Sequence, residues 1–171
     1  MKKIPINQEV IFSRMREIEK NIDKLTIFKG ISLENFKKGE NYAIAEHYLR
    51  RALEAVFDIG THIGSRFPGE RLSTYKDVAL FLGKEGIVPQ NFAKEKLLKM
   101  AGYRNRLVHF YAEVSVDELY EVIQNRLEDF TEVLQCCSEY CKFSTGVISN
   151  IRHGGGILFQ FLHCNVHHAC L

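Results

Sequence analysis

Apolar residues recur at three- and four-residue steps along most of this chain, a period that suits a buried helix face and does not suit the strict alternation of a half-buried strand. From Asn7 to about Phe28 the pattern runs through Val10, Ile11, Met15, Ile18, Ile22, Leu25 and Ile27, with Lys, Arg and Glu between them. It resumes from about Leu33 to Ser65 or Phe67 with Ile44, Ala45, Leu49, Leu53, Val56, Phe57, Ile59 and Ile63. Only 3 prolines interrupt it, so the sequence predicts an all-α fold, an antiparallel helical bundle of about five helices.

Local signals punctuate the bundle. Gly30 ends the first helix and Ser32 is placed to cap the second and longest, which Pro68-Gly69 stops. Gly60 and Gly64, four apart on that helix, read as small residues at a helix crossing. Thr74, followed three residues on by Asp77, starts a short helix to about Leu82 that Gly83 and Gly86 close. Pro89 leads into a helix of about Phe92 to Val108. Ser115-Val-Asp-Glu118 has the capping-box pattern, which starts a last helix near Val116 that continues through Cys141.

At 171 residues one domain is expected, and the periodic part of the chain, residues 1–143, accounts for it. Residues 144–171 differ: Arg152 is their only charged side chain, Gly154 to Gly156 are consecutive, and four of the seven histidines gather there. His163, Cys164, His167, His168 and Cys170 are zinc-ligand types, but their spacing matches no zinc motif, so no metal site is assigned and the segment reads as a flexible or adventitious extension. Cys136, Cys137 and Cys141 fall on the apolar stripe of the last helix and read as packing residues. Five cysteines without a disulfide framework, no apolar run of about 20 residues and no signal-peptide core point to a cytoplasmic protein away from membranes.

The net charge of +2 is too small for whole-molecule attraction to a polyanion, so any such binding must be local. Lys84, Lys94, Lys96, Lys99, Arg104 and Arg106 face only Glu85 and Glu95 across residues 84–107, and this basic stretch leads into Met100-Ala-Gly-Tyr-Arg104-Asn105-Arg106-Leu-Val-His109-Phe-Tyr111. Arginine and histidine can together carry out metal-free RNA cleavage. An imidazole titrates near neutrality and moves protons, while a guanidinium fork stabilises charge developing on phosphorus. On an ideal helix Arg104 and His109 lie about 140° apart, so a shared site requires the helix to end near His109 or a second subunit to complete it. On spacing alone, Arg104 as a surface ion-pair partner, His109 as a helix-end residue and Tyr111 as a packing residue remain open.

Arg104-Asn105-(three residues)-His109-Phe110-Tyr111, late in an all-helical chain, resembles the Arg-x4-His-x-Tyr signature of HepT-like toxins of the HEPN ribonuclease superfamily. The similarity extends to the long-helix stretch from Tyr42 to Ala55 and to Gly86-Ile-Val-Pro89, and covers about residues 5 to 142. The resemblance implies a HEPN-like bundle and a homodimeric, metal-independent endoribonuclease toxin without a cofactor. Arg104 and His109 would be catalytic and Asn105 would orient one of them. The implied partner is an MntA-like minimal nucleotidyltransferase antitoxin that adenylylates the motif tyrosine, here Tyr111. Lys96, Lys99, Arg106, Arg50 and Arg51 are candidate RNA contacts, and Glu46 and His47 lie on the same long helix. The rival reading is a catalytically silent helical dimer that binds a nucleotidyltransferase and nucleotide or RNA.

Overall fold

Asn7 starts the first helix by accepting the Glu9 N–H on its side-chain oxygen at 3.1 Å. The computed structural model describes residues 5–108 and 114–144, and these form helices joined by turns, with no strand among them. Helix α1 (Gln8–Thr26) buries Ile11, Ile18 and Leu25. Helix α2 (Leu33–Phe36) is a single turn, capped by Ser32, that buries Phe36.

The expected unbroken helix from Leu33 is two elements. Gly39 sits at φ +61, a left-handed conformation that a right-handed helix cannot contain, and α3 (Asn41–Gly64) begins beyond it. Helix α3 is the central element, with Leu49, Leu53, Val56, Phe57, Ile59 and Ile63 buried. Each such side chain contributes roughly 1.5–3 kcal/mol of burial. Its alignment with α1 is antiparallel, because Asn7 meets His62, Arg14 meets Asp58 and Glu17 meets Arg51.

Helix α4 (Tyr75–Lys84) opens with the complete Thr74–Asp77 capping box and packs on the C-terminal half of α3. A Cβ on Gly60 would collide with Val78 and crowd Leu82, so Gly60 marks the close crossing of α3 and α4, whereas one on Gly64 would collide with Leu72 of the segment that connects the two helices. Gly83 does not end α4 as expected. It lies inside the helix, where a Cβ would come within 2.6 Å of Ala93; Gly86, at φ +67, makes the turn that follows.

Helix α5 (Gln90–Phe92), a π-helical turn (Ala93–Leu97) and α6 (Leu98–Arg106) follow one another with right-handed helical geometry at each join, so they form one rod. This rod ends at Arg106 rather than at Val108. Helices α7 (Val116–Asn125) and α8 (Leu127–Ser144) replace the expected single last helix, with Arg126 at φ −129° and ψ 2° between them. Helix α8 returns along α1, as Gln8 donates to the Cys141 carbonyl and Lys29 pairs with Glu128 at the other end.

Cys137 and Cys141 are buried as packing residues, Cys136 is partly exposed, and all three are free thiols. Among the described residues no helix is long and apolar enough to cross a membrane. The whole of residues 145–171, including the candidate zinc ligands, lies outside the described residues, as do His109 and Tyr111.

Candidate active site

The last turn of α6 separates its two arginines. Arg104 points inward between α3 and α4, with its side chain only 17% exposed. Its guanidinium carbon stands 4.3 Å from the centroid of the Tyr75 ring at the start of α4, a cation–π distance. One terminal nitrogen lies 3.8 Å from Glu54 Oε1 on α3, too far for a hydrogen bond. The Arg104 Nε is buried without a hydrogen-bond partner among the described residues.

Arg106 points the other way and is fully engaged. Its two terminal nitrogens donate to the two carboxylate oxygens of Glu118 on α7 at 2.5 and 2.7 Å. That fork raises the guanidinium pKa and holds the Glu118 carboxyl below the usual carboxylate range; the Tyr103 hydroxyl and the Ser115 N–H act on Glu118 in the same direction. Burial, followed by the Glu118 charge, pushes the Tyr103 phenol up. Ser115 Oγ accepts the Glu118 N–H at 3.2 Å, so this residue pair caps α7 while the Glu118 carboxylate ties α7 to α6.

This tie spans the segment that carries the rest of the motif. On one side Leu107 is buried; on the other Val114 is buried and its carbonyl accepts the Tyr42 hydroxyl at 2.6 Å. The chain is therefore pinned at both ends of residues 109–113. The end of α6 at Arg106 meets the geometric requirement that the helix stop before His109.

Half of the basic stretch, Lys84, Lys96 and Arg106, is already paired with carboxylates from other elements. Lys96 pairs with Asp129 and Glu132 on α8, both at 2.9 Å, and Lys84 with Glu70 at 2.6 Å. Arg51 bonds Glu17 and lies 3.2 Å from Glu54. Arg50 is half-buried and Lys99 exposed, and neither has an ion pair among the described residues. Lys96 and Lys99 border a separate groove of about 520 Å³, floored by Leu53 and Phe130, whose lining does not include Arg104. Asn105 is half-buried, and its backbone carbonyl accepts the Val108 N–H at 3.3 Å. His47 stands exposed with its ring edge-on to Tyr48. Among the described residues no group of three or more His, Cys, Asp or Glu is placed to hold a metal ion.

Residues 18–137 match the family model described as ribonuclease HepT-like. The chain belongs to the ribonuclease HepT-like family. It is 28% identical over 136 residues to the tRNA nuclease HepT of Aphanizomenon flos-aquae, covering 79% of this chain and 92% of that protein. It is 33% identical over 86 residues to the mRNA nuclease HepT of Shewanella oneidensis, covering 50% of this chain and 64% of that one. A solved structure of the tri-AMPylated Shewanella oneidensis HEPN toxin in complex with an MNT antitoxin superimposes with a TM-score of 0.68 at 26% identity, covering 76% of this chain and 97% of that one. For this HepT-like chain, sequence reasoning missed Tyr75 and Glu54 beside Arg104; both are distant in sequence, and Thr74's capping signal was the only mark near Tyr75.

Proposed function

We propose that this HepT-like chain is the toxin of a toxin–antitoxin pair, an endoribonuclease that cleaves RNA without a metal ion. The observation that carries the reading is the contrast within one helical turn of a family-matched helix: Arg106 is closed on Glu118, whereas Arg104 is oriented but makes no hydrogen bond among the described residues. An arginine held in that way is ready for phosphate oxygens.

In the proposed reaction His109 moves protons as the RNA 2′-oxygen attacks the adjacent phosphorus and the P–O5′ bond breaks. The products are a 2′,3′-cyclic phosphate end and a 5′-hydroxyl end. Arg104 stabilises negative charge on the nonbridging oxygens in the transition state, and Asn105 orients one of the two catalytic side chains. Two chains supply the site as a homodimer, with Lys99 and Arg50, which have no ion pair among the described residues, as RNA contacts.

The partner is an MntA-like nucleotidyltransferase antitoxin, supported by the AMPylated toxin–antitoxin complex that this fold resembles. Tyr111 is the proposed acceptor: its phenol oxygen attacks the α-phosphorus of ATP, pyrophosphate leaves, and the attached AMP puts bulk and negative charge beside Arg104. Two assays test the reading. Wild type should cleave a cellular RNA pool in EDTA and His109→Ala should not; incubation with the nucleotidyltransferase and ATP should add AMP to wild type and not to Tyr111→Phe. Metal-dependent cleavage, or labelling that survives Tyr111→Phe, would contradict it.

A further inference from the structure

Arg104 is the end of a chain of alternating charges that crosses three helices. Arg14 donates to Glu17 at 2.7 Å, Glu17 accepts from Arg51, Arg51 lies 3.2 Å from Glu54, and Glu54 lies 3.8 Å from Arg104. Glu54 is thus shared unequally, with Arg51 closer to it than Arg104. The Tyr75 ring under Arg104 is itself fixed, resting on the fully buried Phe57 with centroids 5.1 Å apart. Its backbone is set by the Thr74–Asp77 capping box.

We propose that Tyr75 and Glu54 are positioning residues for Arg104, and that Arg51 keeps Arg104 available by drawing Glu54 away from it. Tyr75 fixes the plane of the guanidinium without consuming a hydrogen-bond donor. Glu54 supplies directional attraction without a closed fork. If Arg51 were removed, the Glu54 carboxylate would lose its nearer cation and close on Arg104, which would then have to break a charge-assisted pair before binding phosphate. The inference rests on Arg104 acting in RNA cleavage, as proposed above.

The decisive experiment combines kinetics on an RNA substrate with an NMR readout that needs no activity. Tyr75→Leu should lower kcat at least about tenfold, as expected for a displaced transition-state group, and Tyr75→Phe, which keeps the ring, should restore it. Arg51→Ala should also lower kcat about tenfold, and adding Glu54→Gln should recover most of the loss, since the competing charge is gone. In wild type the Arg104 Nε–H proton should resonate upfield because it lies near an aromatic face, and the displacement should vanish in Tyr75→Leu.

An Arg51→Ala/Glu54→Gln double variant as slow as Arg51→Ala, or a Tyr75→Leu variant as fast as wild type, overturns the proposal while leaving the ribonuclease reading intact. A normal Arg104 Nε–H position in wild type overturns it as well. The upfield signal with no RNA cleavage by wild type would instead support the placement of Arg104 over Tyr75 and remove the ribonuclease reading.

Discussion

The Arg104 guanidinium lies over the Tyr75 ring at 4.3 Å, while Arg106, two residues later, is gripped at both ends by Glu118. One helix end thus presents a poised cation and a structural one. Replacing Arg106 by Ala removes the fork between α6 and α7 and should lower stability by about 1 kcal/mol, the order measured for partly exposed ion pairs. Urea unfolding of Arg106→Ala and Glu118→Gln, with the double variant completing the cycle, measures the coupling. A coupling of zero would show that the fork does not hold the two helices.

The two kinds of helical glycine predict opposite signs. A side chain at Gly60 must displace Val78, a short branched residue with little room to rotate, so Gly60→Val should destabilise by about 1–3 kcal/mol or more. At Gly102 a Cβ would meet nothing within 4 Å, and φ there is not positive. Gly102→Ala should therefore stabilise the monomer by roughly 0.5–1 kcal/mol through helix propensity. Thermal melting of both variants checks the contrast.

Acid should weaken the fold in two windows. The Nε2 of His62 accepts the Asn7 N–H at 3.3 Å, and burial, then the Arg66 charge, lowers its pKa below the ordinary 6.5. Glu118 is likewise lowered from 4.5, chiefly by the Arg106 hydrogen bond. In both cases the unfolded chain binds the proton first, so stability is present above the unfolded value and is lost as pH falls through the folded one. Unfolding free energy followed from pH 7 downward should decline below about 6.5 and again below about 4.5. His62→Gln should flatten the upper decline and Glu118→Gln the lower; a decline unchanged by either substitution would refute the assignment.

Much of this architecture was legible. Ser32, Thr74 and Ser115 each accept a first-turn N–H as their side chains suggested, and most of each apolar stripe is buried, although Val10, Ile27 and Ile44 of the expected stripes are exposed. Gly39 was a visible signal that periodicity overrode, because apolar spacing continues across it. The break at Arg126 carries no glycine or proline and follows from packing, with α7 set against α2 and α3 and α8 against α1. The π turn at Ala93–Leu97 and the Glu54–Arg104–Tyr75 arrangement depend on tertiary neighbours, which helical periodicity does not encode.

The buried thiols supply a chemical check on the last helix. Burial pushes the Cys137 thiol far up and the Cys136 thiol to about 11, and it raises Cys141 as well. Thiolate is the reactive form, so iodoacetamide at neutral pH should leave Cys137 unmodified in the folded protein and alkylate it in urea. Peptide mass mapping reads this directly, and prompt native labelling of Cys137 would contradict the packing of α8.

The most direct measurement is RNA cleavage in EDTA by wild type, Arg104→Lys and Arg106→Lys at matched concentration and fold. Lysine keeps the charge but not the plane or the fork. The account predicts that Arg104→Lys loses about a hundredfold or more of the rate, as for a lost oxyanion donor, while Arg106→Lys keeps most of it. Equal loss in both variants, or a fully active Arg104→Lys, would contradict the assignment of Arg104 as the arginine that meets the phosphate.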